Sequence, residues 1–100
     1  MIKVVRSVQP RMGKGIEAVQ HAKALTDYAN GKFPAMHWEV FMAESGKIGT
    51  IYWLGESESL ATLEQEDAAF GADPGWIALL QQGDSIWVDG SFRNRTLRSL

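Results

Sequence analysis

The stretch HWEVFMAESGKIGTIYWL, residues 37–54, decides the fold of this chain. Both of its arms are rich in β-branched and aromatic residues, and the residues that interrupt strands, Ser45-Gly46, lie between the arms. This pattern predicts a β-hairpin. A two-residue loop and a four-residue loop centred on Ser45-Gly46 give the same pairing of the two strands. In that pairing Trp38 lies opposite Trp53.

The predicted hairpin has two faces, and neither resembles a solvated surface. One face is apolar and carries Trp38, Val40, Met42, Ile51 and Trp53. The other face carries His37, Glu39, Phe41, Tyr52 and Leu54. A three-residue loop would instead move Tyr52 to the face of Trp38. We prefer the first register because it keeps the carboxylate of Glu39 out of the apolar core.

The rest of the chain predicts two more strands and three helices. Alternating residues indicate strands over 2–8, ending before Pro10, and over 85–92. The tail, residues 93–100, either extends the last strand or lies across a neighbouring one. Apolar spacing and capping residues indicate helices over 15–30 with Asn30-Gly31 as the stop, from Ser57 or Ser59 to about Phe70, and over 74–82 after Asp73. The acidic residues expected on the solvent side of the second helix are Glu58, Glu64, Glu66 and Asp67.

The resulting order, βαββαβ, predicts an α+β fold of the ferredoxin-like type, with a four-stranded antiparallel sheet and its helices on one face. We expect residues 1–100 to form a single domain. The open face of the sheet would expose Phe41, Tyr52, Leu54 and Trp87. We therefore expect a second copy of the chain to cover this face in a homodimer.

Composition excludes several classes of function. The formal net charge of -2 disfavours binding to a phosphate backbone, and hence nucleic acid as a partner. The absence of cysteine excludes disulfides, thiolate catalysis and cysteine-bound metals. No apolar run has the length of a signal peptide or of a membrane span. We therefore predict a cytoplasmic protein with no membrane partner.

The order of elements, Trp53 before the helix start GESESLATL, and Trp76-Ile77 in the short third helix resemble the dimeric α-β barrel superfamily. That superfamily includes small antibiotic-biosynthesis-type monooxygenases and NIPSNAP-like proteins. The resemblance extends over nearly the whole chain. It implies two sheets paired into a barrel, and a cavity, between a sheet and its helices or inside the barrel, for an apolar or aromatic molecule.

The resemblance also implies an activity, the oxidation or isomerisation of the bound molecule without a metal or other cofactor, and it maps Trp53 onto the family's tryptophan. Haem-degrading members use a histidine on the second helix. Residues 57–82 contain no histidine, which argues against haem degradation.

The residues themselves indicate a candidate ligand site on the open face. His37 and Glu39 lie two apart on one strand and therefore share a face. We assign ligand binding to His37, Glu39, Phe41, Tyr52 and Trp87. Hydrogen bonding or packing at a dimer interface is the plainer alternative. A metal site is disfavoured because the one other histidine, His21, is expected on a helix behind the sheet, and no catalytic residue is assigned.

Three further features have plain explanations. At strand and helix spacing tryptophans more often belong to a core than to an aromatic binding box, and we expect Trp38 and Trp53 to be core residues. His21 and Tyr28 fit surface hydrogen bonds beside the first helix. The segment 11–15 offers cations at a helix start but lacks the glycine spacing of a P-loop.

The leading hypothesis is a homodimer that binds an apolar or aromatic small molecule and, by resemblance alone, oxidises or isomerises it without a cofactor. The alternative is a non-catalytic ligand-binding or regulatory dimer of the same topology. A single-stranded RNA binder is a third possibility. It is disfavoured because the first strand has no aromatic residue on which a base could stack.

Overall fold

The computed structural model describes residues 1–100 and contains one four-stranded antiparallel sheet with three helices. The strands are β1 (Ile2–Val8), β2 (His37–Met42), β3 (Ile51–Ser57) and β4 (Arg93–Arg98). The helices are α1 (Gly15–Lys32), α2 (Leu60–Gly71) and α3 (Pro74–Gln81). The strand order β2-β3-β1-β4 confirms the predicted ferredoxin-like fold. None of the helices has the length and apolar character needed to cross a membrane.

The core lies between the sheet and the helices, because alternate residues of each strand point to that side. On β1 the buried residues are Ile2, Val4 and Val8. The core divides into a larger cluster around Trp38 and a smaller one around Ile51. Trp53 packs against both clusters. The layer between sheet and helices is therefore built from two packed regions joined by one aromatic side chain.

The pairing of β2 with β3 is shifted by two residues from the prediction. Trp38 lies opposite Gly55 instead of Trp53. The connection, residues 43–50, is longer than the predicted turn, and both Gly46 and Gly49 within it adopt a left-handed backbone conformation, with φ 70° and 89°. Since side chains alternate with a period of two, a slip of two leaves each of them on its predicted face.

Helix α1 continues through the predicted stop at Asn30-Gly31 and ends at Lys32. The side chain of Asn30 binds the backbone of β2 instead. Its Nδ2 donates to the Trp38 carbonyl oxygen (2.9 Å), and its Oδ1 accepts from the Trp38 backbone N–H (2.9 Å). These two bonds satisfy backbone groups on the free side of an edge strand.

The last strand is β4, and the strand predicted over 85–92 is wrong. In that segment Trp87 makes only an isolated bridge with Pro10, and Asp89-Gly90 forms a turn in which Gly90 has φ 76°. All residues of β4 are exposed, so its sequence, RNRTLR, lacks the alternation of apolar and polar residues that indicates a half-buried strand. As a consequence Trp87 packs on the helix side of the sheet, against the smaller core cluster, and not on the open face.

Helices α2 and α3 begin where the sequence predicted. Ser59 Oγ accepts a hydrogen bond from the backbone N–H of Thr62, and Asp73 Oδ1 accepts one from that of Gly75. The prediction for Glu66 is wrong, because this side chain faces the core and is only 5% exposed. Its position on α2 shares the helix face of the buried residues Leu63 and Phe70.

The packing of Trp38 on β2 against Gly55 on β3 can be tested by substitution. A Cβ atom added at Gly55 would lie 2.7 Å from carbons of the Trp38 ring. Gly55→Ala should therefore lower the free energy of unfolding by about 1–3 kcal/mol, because the ring must leave its packed position. Gly31→Ala is the matched control. Its Cβ meets open space on a helix, and it should raise stability by about 0.5–1 kcal/mol. Urea denaturation measures both, and an unchanged midpoint for Gly55→Ala would contradict the contact.

Candidate functional site

Four of the five predicted ligand-binding residues share the open face of the sheet. His37, Glu39 and Phe41 are exposed on β2, and Tyr52 lies opposite Phe41 on β3. The side chains form a surface in a single chain and do not enclose a cavity. The fifth residue, Trp87, lies on the other side of the sheet.

A cavity of about 470 Å³ lies on that other side, between the sheet and the helices. Its aromatic wall consists of Trp38, Trp53, Trp76 and Trp87. Its exposed lining residues include Leu80, Val88 and Phe92. The cavity therefore opens beside α3 and the α3–β4 connection. Its volume lies in the range of small-molecule sites, about 300–1,000 Å³.

Different elements place the four tryptophans around this cavity. Trp38 and Trp53 project from β2 and β3, Trp76 lies on α3, and Trp87 follows α3. Trp53 and Trp87 meet edge to face, with ring centroids 6.1 Å apart. Trp76 packs on Phe70 with a centroid distance of 4.5 Å. These aromatic contacts hold the walls in fixed positions.

Helix α1 binds two of the indole N–H groups. Trp53 Nε1 donates to Thr26 Oγ1 (3.1 Å), and Trp87 Nε1 donates to His21 Nδ1 (3.0 Å). His21 Nε2 lies 2.7 Å from the carbonyl oxygen of Leu79. A carbonyl only accepts, so His21 carries its proton on Nε2 and leaves Nδ1 free to accept. The buried His21 ring therefore positions Trp87, and the surface hydrogen bond predicted for His21 is wrong.

Arg6 supplies a positive charge to the sheet wall of the cavity. Its Nε donates to Asn94 Oδ1 (2.9 Å), and its Nη2 donates to Asp67 Oδ1 (3.1 Å). Its Cζ lies 5.0 Å from the centroid of the Trp38 ring, within the range of a cation–π interaction. These three contacts fix the orientation of the guanidinium.

Glu66 is a buried carboxyl group close to Trp38. Neither of its oxygens has a hydrogen-bond partner, and neither does Trp38 Nε1. Burial raises the pKa of Glu66 to about 7, and the negative charge of Asp67 adds to the rise. The nearby Trp38 indole, the charge of Arg6 and the backbone N–H of Met36 oppose this rise without cancelling it. Glu66 is not among the residues that line the cavity.

A second polar pair joins α1 to the start of α3. The Tyr28 hydroxyl donates to Asp73 Oδ1 (3.0 Å), which also accepts from the backbone N–H groups of Gly75 and Trp76. Burial by itself would raise the pKa of Asp73, but these donors and the charge of Lys32 lower it. Tyr28 is half-buried, and its bond fixes the start of the helix that carries Trp76.

The sequence assigned Trp38 and Trp53 to the core. Trp38 is buried, at 5% exposed, and Trp53 packs against both core clusters. Trp53, Trp76 and Trp87 are half-buried along the cavity. One signal in the sequence could have indicated the site. Arg6 alternates with the apolar residues Ile2, Val4 and Val8 and therefore shares their buried face of β1, where a charged residue needs a partner or a ligand. No three His, Asp or Glu side chains lie close enough together to hold a metal ion.

The buried carboxyl predicts how stability depends on pH. The pKa of Glu66 is higher in the folded chain than its ordinary value of 4.5, so the folded state resists ionisation. Stability should therefore fall as pH rises from about 4.5 to about 7 and then level off, a loss of about 3 kcal/mol from this group. Glu66→Gln should remove that loss and melt higher than the unmodified chain at pH 8.

Thermal denaturation from pH 4.5 to 8.5 measures this effect. Glu64→Gln is the matched control, because Glu64 is exposed on the same helix and should leave the pH profile unchanged. If the stability of Glu66→Gln still falls with pH as it does in the unmodified chain, ionisation of the Glu66 carboxyl is not the cause of the loss.

Solved structures share this fold over almost their whole length. An uncharacterized NIPSNAP domain protein from Burkholderia xenovorans has a TM-score of 0.83 and 13% identity, covering 100% of this chain and 95% of that one. A NIPSNAP family protein of unknown function from Agrobacterium tumefaciens has a TM-score of 0.81 and 17% identity, covering 97% and 86%. An antibiotic biosynthesis monooxygenase has a TM-score of 0.75 and 12% identity, covering 100% and 99%.

Comparisons with models of protein families and with curated protein sequences gave no match. At identities this low, the structural likeness establishes the fold alone. The resemblance that the sequence indicated, to NIPSNAP-like and antibiotic-biosynthesis-monooxygenase-like proteins, is confirmed at the level of the fold.

Proposed function

We propose that this chain binds an apolar or aromatic small molecule in the cavity between its sheet and its helices. The supporting observation is the cavity itself, about 470 Å³ in volume and walled by four indole rings. A mostly apolar cavity with few polar groups is the usual composition of a small-molecule site. Of the residues assigned to ligand binding from the sequence, Trp87 lines this cavity.

The side chains around the cavity support binding more strongly than catalysis. His21 has both ring nitrogens occupied, and the Thr26 hydroxyl both donates and accepts. Glu66 lies outside the lining, and Asp89 at the rim pairs with Arg11. None of these groups is free to exchange a proton with a bound molecule. The first candidate is therefore a ligand-binding module.

Cofactor-independent oxidation of the bound molecule is the second candidate. Four electron-rich indoles surround the cavity, and one structurally similar protein is an antibiotic biosynthesis monooxygenase. Oxygen uptake in the presence of an aromatic hydroquinone, above the rate without protein, would support this candidate over the first.

We also propose that the open face of the sheet joins two copies of the chain. Its apolar residues Phe41, Leu54 and Leu97 are 48%, 39% and 48% exposed. Arg95 lies on β4 at one edge of the sheet, and Glu39 lies on β2 at the other. A two-fold axis parallel to the strands would bring the cationic edge of each copy to the acidic edge of its partner. His37 and Tyr52 would then lie in the interface.

A bulky side chain at the rim tests the cavity as the binding site. Leu80 lines the cavity, whereas Ile77 on the same helix does not, and both are partly exposed. Leu80→Trp should weaken binding of the neutral probe 2-naphthamide about tenfold or more, because overfilling an occupied space costs about 1–3 kcal/mol. Ile77→Trp should leave the affinity unchanged. Isothermal calorimetry measures both, and equal affinities would place the ligand elsewhere.

A charge on the open face tests the dimer. The unmodified chain should sediment as a dimer at micromolar concentration. Leu54→Glu should sediment as a folded monomer, because it buries a carboxylate among apolar residues of the interface. Ile16→Glu, at an exposed site on α1, should remain dimeric. A folded monomer of the unmodified chain would contradict the proposed interface.

A further inference from the structure

Arg6 is unusual among the residues that line the cavity. It projects from the middle of β1 into a wall made largely of aromatic and aliphatic side chains, and its side chain is only 23% exposed. The other charged lining residue, Asp89, is almost fully exposed at the rim and pairs with Arg11. Arg6 is therefore the one charged group on the inner wall.

The hydrogen bonds of Arg6 leave part of its guanidinium unused. Nε is occupied by Asn94, and Nη2 is occupied by the carboxylate of Asp67 at 3.1 and 3.4 Å. Nη1 has no partner in the chain. A guanidinium carries five N–H donors, so the two on Nη1 are available to an acceptor from outside the chain.

The charge of Arg6 is also incompletely neutralised. Asp67 is about half exposed, so water screens part of its attraction for the guanidinium. Trp38 lies against the guanidinium on the cavity side, where the low local dielectric strengthens a charge-assisted hydrogen bond. Thr26 and the N–H groups of Trp53 and Trp87 bond to each other or to α1, so the polar groups of the wall without a partner in the chain are Nη1 of Arg6 and the uncharged indole N–H groups of Trp38 and Trp76.

We infer that the ligand is an aromatic acid, whose rings lie among the tryptophans and whose carboxylate accepts hydrogen bonds from Nη1 of Arg6. This inference rests on the proposed function, since it names the ligand class of the same cavity. Arg6 acts as the specificity-determining residue. It distinguishes an anionic aromatic ligand from a neutral one of the same shape.

Two ligands of equal shape separate this inference from the proposed function. 2-Naphthoate carries a carboxylate where 2-naphthamide carries a neutral amide. At pH 7.5 the unmodified chain should bind 2-naphthoate about tenfold or more tightly than 2-naphthamide, the lower end of the range for hydrogen bonds to charged groups. Equal binding of the two compounds would overturn the inference and leave the proposed function standing. Binding of neither would overturn both.

Variants at Arg6 test whether this residue causes the preference for 2-naphthoate over 2-naphthamide. Arg6→Gln removes the charge and should bind both compounds with the affinity that the unmodified chain has for 2-naphthamide. Arg6→Lys keeps the charge but not the planar group and should retain part of the preference. Calorimetric titration measures the affinities, and circular dichroism verifies folding. A full preference for 2-naphthoate in folded Arg6→Gln would overturn the role of Arg6.

Discussion

The packing of Trp38 against Gly55 is the contact on which the rest of the molecule depends. The ring occupies the space that any larger residue at position 55 would fill, and it covers the residue opposite it on the neighbouring strand. Asn30 then binds the backbone of the same residue, and the guanidinium of Arg6 lies over its ring. One side chain thus belongs at once to the sheet, to the larger core cluster and to the wall of the cavity.

The cavity persists because its walls are supported separately. The two core clusters pack on either side of it, and hydrogen bonds from α1 hold the indoles of Trp53 and Trp87 from behind. Side chains held in this way cannot readily collapse into the space between them. The chain therefore keeps apolar surface that its own residues do not cover. A ligand that covers this surface binds only the folded state and so stabilises it.

The sequence predicted the fold and the faces of the hairpin, because hydrophobic alternation survives a register error of two residues. It placed the last strand over 85–92 and left two alternatives open for 93–100, where β4 lies, because the residues of β4 are all exposed. It placed Trp87 on the wrong side because residues 85–92 alternate without forming a strand. The cavity depends on distances between side chains from six helices and strands and the α3–β4 connection, which no local pattern encodes. Glu66 was expected in water because glutamate side chains are usually exposed, although its position on α2 lies on the face that packs against the core. The cytoplasmic location and the single-domain organisation stay predictions.

The segment between α3 and β4 is attached to the rest of the chain by few bonds. Its backbone is held by hydrogen bonds from Arg11 to Ile86 and from Val88 to Gln9, and the side chain of Ser91 binds the backbone of Gln9. The same segment carries rim residues of the cavity. Opening it locally breaks these bonds, the hydrogen bond of Trp87 to His21 and the ion pair of Asp89 with Arg11, and leaves the pairing of β1 with β3 intact. A ligand in the proposed site would then exchange through this local opening and not through unfolding of the sheet, so that its residence time and the lifetime of the fold would be set by different parts of the molecule.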